Sequence, residues 1–366
     1  MNLDGKRIWV DLEHQKTGIM LVSLLKRLER DGCEILYTAR EFANTSKVLD
    51  EVGISYKLVG AHGGADLKDK LTTHVARLQE LIPIVSDFSP DLALTFSSVE
   101  LARIGFGLSI PTIGFNDEPR SWAVAKLTLP LYTRVLTPAC IPKKEYYRLG
   151  ATEENLVQYN GIDEVAWVEP FEPDKSVLAE MDVEKGEYVL LRTEMTHAQY
   201  LREMMDPGDT SIINFLPDVY RAFPNHKYFI IPRMNEQHEL LKKKLVPLAP
   251  DKIIVTDYIN KLTDFIFYSG LVASGGGTIV RESALFNIPS IEFFPGKTAW
   301  QEHFLMNNEF PLWHIRDEND VAAKMKEILE HGISSDRFTS DYKKKLANYD
   351  NPNEICYQEI SKILSK

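Results

Sequence analysis

From Arg7 onward, short apolar runs alternate with segments whose apolar residues recur at helical spacing, and this alternation restricts the fold more than any other feature. Arg7-Ile8-Trp9-Val10-Asp11 reads as a strand ending in an acid. Leu21, Leu24, Leu25 and Leu28 mark one face of a helix that stops at Asp31-Gly32, and residues 34–38 read as the next strand. A strand, a helix and a strand within about thirty residues form a βαβ unit and imply a parallel sheet. The same reading predicts helices over 46–52 and 98–108 and strands over 54–59, 91–96, 110–115 and 134–137. Leu67, Leu71, Val75, Leu78, Ile82 and Val85 are the apolar face of a long helix.

The segment 166–187, rich in Pro, Glu and Asp, reads as a linker, after which the alternation restarts. Strands are predicted over 188–191, 227–231, 253–255, 270–273 and 290–293, and helices over 211–222, 237–245, 259–268 and 278–286. Helices over 321–329 and 354–364 end the chain. The expected division is an N-terminal Rossmann-like domain over 1–165, the linker, a C-terminal Rossmann-like domain over 188–340, and a segment 341–366 whose helix packs back on the first domain. The fold class is α/β, two facing Rossmann-like domains with a cleft between them, and 366 residues suffice for two such cores.

Forty-two Lys and Arg against 53 Asp and Glu leave a formal charge of −11, which argues against nucleic acid as partner. Cys33, Cys140 and Cys356 are too few and too scattered for a disulfide framework, so a reducing, cytoplasmic setting is expected. The first residues lack a signal-peptide pattern, and no window approaches about 18 uninterrupted apolar residues.

The most informative stretch is Val272-Ala273-Ser274-Gly275-Gly276-Gly277-Thr278, followed by Arg281-Glu282. A buried strand, three glycines and a helix start let backbone amides approach an oxyanion, with the helix dipole favouring negative charge. Thr278 can cap or donate to a phosphate, and Glu282, one turn into the helix, suits two vicinal hydroxyls. The competing reading is a tight turn with a surface acid. No GK[ST] or GxGxxG is present, so neither a Walker loop nor a dinucleotide fingerprint is formed.

Residues 274–291 resemble the nucleotide-sugar-binding segment of GT-B glycosyltransferases and of the related non-hydrolysing UDP-N-acetylglucosamine 2-epimerases. Thr256-Asp257-Tyr258-Ile259 resembles the loop whose backbone holds the base in those enzymes. Over nearly its full length the chain also resembles a prokaryotic domain-of-unknown-function family of GT-B fold. That resemblance rests on Trp9-Val10-Asp11 with His14, Leu36 to Arg40, Asn116-Asp117, Leu136-Thr137-Pro138 and Gly275 to Glu282.

The resemblance implies a nucleotide-sugar donor, UDP-linked, as substrate. Ser274, Gly275, Gly276, Gly277, Thr278 and Arg281 would then surround its diphosphate, Glu282 would take the ribose, and Tyr258 and Ile259 the base. Arg192, after the first strand of the second half, and Arg233, at the next strand end, are placed for the departing diphosphate, with His197 near the same pocket. No DxD motif and no paired His/Cys spacing occurs, so no metal and no further cofactor is expected.

A base is expected from the first half. His14 titrates in the useful range and Asp11 can orient it, while Asp117 follows another strand end. Further histidines of the family are replaced by Thr17, Gly18 and Ile19. Thr95-Phe96-Ser97-Ser98 stands where the epimerases carry a glycine–aspartate pair, and only Glu302 matches their later acidic cluster. These departures favour a metal-independent glycosyltransferase with an unknown acceptor over an epimerase or a non-catalytic nucleotide-sugar binder. Residues 127–132, between Lys126 and Arg134, read as core in preference to a membrane contact.

Overall fold

The structure is a computed structural model and describes residues 3–42, 45–64, 66–196, 205, 206, 208–332 and 341–365. Two compact units are present, one of residues 1–169 and 349–366, the other of residues 170–348. Residues 341–348 thus stay with the second unit, and the predicted linker contains the short helix Ser176–Glu180 and all but the first residue of the helix Val165–Val168.

The first unit carries seven parallel strands: β1 (Arg7–Leu12), β2 (Glu34–Glu41), β3 (Lys57–Ala61), β4 (Leu92–Phe96), β5 (Thr112–Phe115), β6 (Arg134–Pro138) and β7 (Leu156–Tyr159). Their order is β3-β2-β1-β4-β5-β6-β7. From β1 the chain winds outward through β2 to β3, crosses back to β4, then winds the other way. Because such crossovers are right-handed, the two directions put their helices on opposite faces. Helix Gln15–Arg30 packs with Thr45–Glu51 and with the C-terminal helix Pro352–Leu364. Helices Leu67–Phe88, Val99–Gly107 and Trp122–Thr128 pack side by side as the other layer. Ile8 to Leu12 are buried throughout, as expected of a strand covered on both faces.

Helix Gln15–Arg30 shows why Thr17 and Gly18 stand near its start. Both are buried, and a Cβ on Gly18 would lie 2.5 Å from Leu49, so close helix packing demands the small residue. The C-terminal helix is tied to it by Asn353, whose side-chain amide donates to Met20 O and Ser23 Oγ, both at 2.8 Å.

Helix Leu67–Phe88 is N-capped by Asp66, which accepts from Lys68 N and Asp69 N as a helix start requires. The residues it buries are Arg77, Leu81 and Val85. Of the apolar face read from the sequence, Leu67, Leu71, Val75 and Ile82 are 45–80% exposed. The inward face is decided by Arg77, which finds its acidic partners there.

The second unit has six parallel strands: β8 (Tyr188–Arg192), β9 (Lys227–Ile231), β10 (Ile253–Val255), β11 (Leu271–Ser274), β12 (Ser290–Glu292) and β13 (Leu312–His314), in the order β10-β9-β8-β11-β12-β13. Val189, Leu191, Ile212, Phe215, Tyr228, Ile230 and Ala273 belong to its core. The sequence reading missed β7 and β13. Each spans three or four residues, too few for a periodic signal, and β3 begins at Lys57, three residues later than predicted.

Candidate functional site

In an open parallel sheet, ligands bind beyond the carboxyl ends of the strands where the winding direction reverses. In the second unit that point lies between β8 and β11, whose registered ends are Arg192 and Ser274. Gly275 N donates to Arg192 O at 3.0 Å, carrying the strand contact into the glycine turn. Gly276 caps the helix Gly277–Leu285 with extended backbone and no side-chain cap. Extended backbone suits any residue, so these glycines are required by space. A Cβ on Gly275 would meet Glu194 Cγ at 2.3 Å and its backbone at 2.9 Å; one on Gly277 would meet Glu302 Oε1 at 2.3 Å. A Cβ on Gly276 would meet only Arg233 Nη2, at 2.7 Å.

Two guanidinium groups stand beside this turn. Arg233 is fixed by its own Nε donating to Thr193 O at 2.8 Å and its backbone N donating to Thr193 Oγ1 at 2.9 Å. Arg192 has a buried Nε without a hydrogen-bond partner among the described residues. Burial, then repulsion from Arg233, pulls the Arg192 pKa down to about 9, against the attraction of Glu282. A guanidinium with an open Nε, crowded by a second cation next to a helix N-terminus, is what an oxyanion would neutralise.

The surrounding frame includes residues the sequence reading did not single out. Gln237 donates to Glu194 O at 2.8 Å and accepts from Thr193 Oγ1 at 2.6 Å. Glu194 accepts from Thr210 Oγ1 at 2.7 Å and Ser211 N at 3.1 Å, and burial pushes its carboxyl up. The available signal was position, since Thr193-Glu194 follows a central strand directly. The Arg281 guanidinium lies 3.0 Å from buried Glu302 and near Thr278 Oγ1, and so braces the turn. Glu282 is buried in the same helix. Ser274 Oγ accepts from Gly276 N at 3.1 Å. Tyr258 O accepts from Thr256 Oγ1 at 2.9 Å, and Ile259 is buried. His197 lies outside the described residues.

In the first unit the reversal lies between β1 and β4, and Asp11 stands there. Asp11 is corrected as well, because it does not orient His14. Its carboxylate accepts from Arg77 Nη2 at 2.7 Å and Nη1 at 3.0 Å, and from Thr38 Oγ1 and Ser98 Oγ at 2.7 Å each. Arg77 also donates to Glu13 Oε1 at 3.0 Å and Val59 O at 2.9 Å. Despite the cost of burial, Asp11, Glu13 and Glu100 hold Arg77 charged. Burial raises the Glu13 carboxyl against the pull of Arg40 and Arg77, while Glu100, buried but hydrogen-bonded by His74 and Glu13, falls to about 2.

His14 has Glu13 Oε2 4.0 Å from its Nε2, and its ring meets Phe42 edge-on at 5.7 Å. Burial lowers its pKa, so the imidazole is neutral near pH 7. Asp117 lies just past β5 and takes Lys16 Nζ at 2.6 Å; the same ammonium lies 2.7 Å from Asp163. Asp163 also accepts from the Tyr159 hydroxyl. Burial, with Asp117 nearby, pushes Asp163 up to about 7 against the pull of Lys16. Lys16 and Asp163 were missed because they join Asp117 only in the fold. This trio can hold and move a proton between oxygen and nitrogen atoms.

The family described as "Protein of unknown function (DUF354)" matches residues 6–364. The chain belongs to it. An uncharacterized protein of Methanocaldococcus jannaschii, MJ0665, is 26% identical over 334 residues, covering 90% of this DUF354 chain and 92% of that protein. Among solved structures, the UDP-GlcNAc 2-epimerase from Neisseria meningitidis bound to UDP-GlcNAc superposes with a TM-score of 0.72 at 14% identity, covering 97% of this chain and 100% of that one. The UDP-GlcNAc 2-epimerase from Methanocaldococcus jannaschii gives 0.68 at 14%, covering 97% and 99%. The glycotransferase of kitacinnamycin gives 0.60 at 13%, covering 99% of each chain. Such identities speak for the fold alone, and the fold of this DUF354 member is the GT-B-like two-domain α/β fold. No helix among the described residues is long and apolar enough to cross a membrane.

Proposed function

We propose that this DUF354 protein is a metal-independent enzyme acting on a nucleotide sugar, and that it transfers the sugar from a UDP-linked donor to an acceptor. The observation that carries the reading is half-buried Arg192, whose buried Nε has no hydrogen-bond partner among the described residues, beside Arg233 and the glycine turn. A diphosphate answers both guanidinium groups and the amide of Gly277 with charge-assisted hydrogen bonds. Bound there, it leaves Glu282 for the ribose and the Tyr258–Ile259 loop for the base. As the glycosidic bond to the diphosphate breaks, the two arginines stabilise the charge that develops on the leaving group. Asp117, or neutral His14, accepts the acceptor proton.

A second reading, 2-epimerisation of the donor sugar, draws support from the Lys16–Asp117–Asp163 trio, which provides both proton acceptors and donors. Ser97 and Ser98 count against it, because their hydroxyls are engaged with Phe115 O and with Asp11 and Glu13.

Incubation with UDP-N-acetylglucosamine, followed by chromatography of the nucleotides, tests both. Acceptor-dependent release of UDP is the expected result, and appearance of the isomerised UDP-sugar selects the second reading. No binding of any nucleoside diphosphate or nucleotide sugar by calorimetry overturns the assignment.

A further inference from the structure

Arg40 stands near the carboxyl end of β2, where the pairing of β2 with β3 slips register between Ala39 and Glu41. Irregularities of this kind re-aim side chains. The Arg40 side chain is only 16% exposed, and its Nε is buried with no hydrogen-bond partner among the described residues. The carboxylate it faces is that of Glu13, whose Oε2 lies 3.7 Å from Nη2, too far for a hydrogen bond. The other oxygen of Glu13 already accepts from Arg77 and Ser98. The planar fork of Arg40 is thus left with donors to give.

Two histidines share its surroundings through one aromatic ring. The Arg40 guanidinium lies 5.7 Å from the centre of the half-buried Phe42 ring, which meets His14 edge-on at 5.7 Å and His62 at 4.4 Å. His62 follows β3, and its backbone N donates to Glu41 O at 3.0 Å, which ties it to the end of β2. Its Nδ1 accepts from Gly64 N at 3.1 Å, so the ring proton sits on Nε2. Burial lowers the His62 pKa, and repulsion from Arg40 and Lys70 lowers it further. His14 is lowered by burial too, with Arg40 and His62 adding to the effect against the pull of Glu13 and Asp11. Groups that suppress one another's charge share a field that a bound anion relieves.

These donors come from the ends of three neighbouring parallel strands, β1, β2 and β3, the edge at which an open sheet receives its ligands. A guanidinium and two imidazoles, one of them the candidate base His14, call for an anion with several lone pairs on adjacent oxygens, which a phosphate monoester or a carboxylate supplies. We infer that Arg40, His14 and His62 hold such an anionic group, and that the acceptor of the transfer carries it. The inference rests on the transferase reading, for which it names the acceptor class: an acidic sugar or a sugar phosphate.

Nuclear magnetic resonance of the histidine ring protons in the full chain tests it, with His14→Asn and His62→Asn assigning the two signals. Glucose 6-phosphate and glucuronate are the anionic probes, and glucose is the neutral one. The expected result is saturable movement of both signals with at least one anion, a His62 pKa about half a unit or more higher in the complex, and no response to glucose. The anion that binds more tightly tells phosphate from carboxylate. Arg40→Gln should weaken that binding by at least about tenfold, and so should His62→Asn, whose exposed position leaves the fold intact. Signals that neither anion moves overturn the inference, as does an affinity equal in the wild type and both variants, or an equal response to glucose. A wild type that binds UDP but neither anion defeats this inference alone; one that binds the anion but no nucleotide defeats the nucleotide-sugar reading and leaves the anion site standing.

Discussion

Arg77 and Asp11 meet in a two-point ion pair, Nη2 to Oδ1 at 2.7 Å and Nη1 to Oδ2 at 3.0 Å, with neither side chain more than 1% exposed. The pair joins the helix Leu67–Phe88 to the central strand β1. Through Glu13 it also holds the loop that carries His14.

Removing one side of a buried pair leaves the other without a counter-charge. Arg77→Met should lower unfolding free energy by about 3–5 kcal/mol, read from urea denaturation. Glu13→Gln should cost far less, because burial already disfavours the charged form of Glu13; equal losses in the two variants would contradict that.

The glycine turn discriminates among its three members. Gly275→Ala and Gly277→Ala each force a Cβ into neighbouring groups and should cost about 1–3 kcal/mol or more in the same assay. Gly276→Ala meets only the tip of Arg233, so its fold should survive while UDP affinity falls. Wild-type affinity in Gly276→Ala would separate Arg233 from the ligand.

Arg192 should matter to the ligand more than to the fold. Arg192→Leu removes a half-buried cation that burial and Arg233 disfavour, so the ligand-free melting temperature should not drop. Loss of charge-assisted hydrogen bonds worth about 1.5–3 kcal/mol should weaken UDP binding roughly ten- to hundredfold. Calorimetry showing unchanged affinity would remove Arg192 from the site.

Asp163 gives a pH dependence of definite sign. Its pKa rises from 3.8 to about 7 on folding, so between those values the folded chain holds a proton that the unfolded chain has released. The group's stabilisation is complete below pH 3.8 and is lost as pH rises through about 7. Relative to Asp163→Asn, the wild type should lose on the order of 2–4 kcal/mol across this window. Matching pH profiles of denaturation in the two proteins would contradict the raised pKa.

Strand–helix alternation and the glycine turn were legible in the chain because both are local: periodicity spans one element, and a run of glycines needs no distant partner to be recognised. The roles of individual polar groups were not. Asp11 and His14 lie three residues apart, yet Asp11 belongs to Arg77, 66 residues away. Arg281 braces the glycine turn through Glu302, 21 residues on, a partner that no local pattern announces.

By itself the sequence determined a two-part α/β chain, an oxyanion-competent turn at Gly275–Gly277 and a charge balance hostile to nucleic acid. Tertiary structure alone decided that Lys16 lies between Asp117 and Asp163, that the Nε of Arg192 is buried without a partner among the described residues, and that helix Leu67–Phe88 turns Leu67 and Leu71 outward. The physical reason is common to all three. Burial and ion pairing depend on which remote segments share a strand end, and sheet order, set by crossovers between non-consecutive strands, assigns those neighbours.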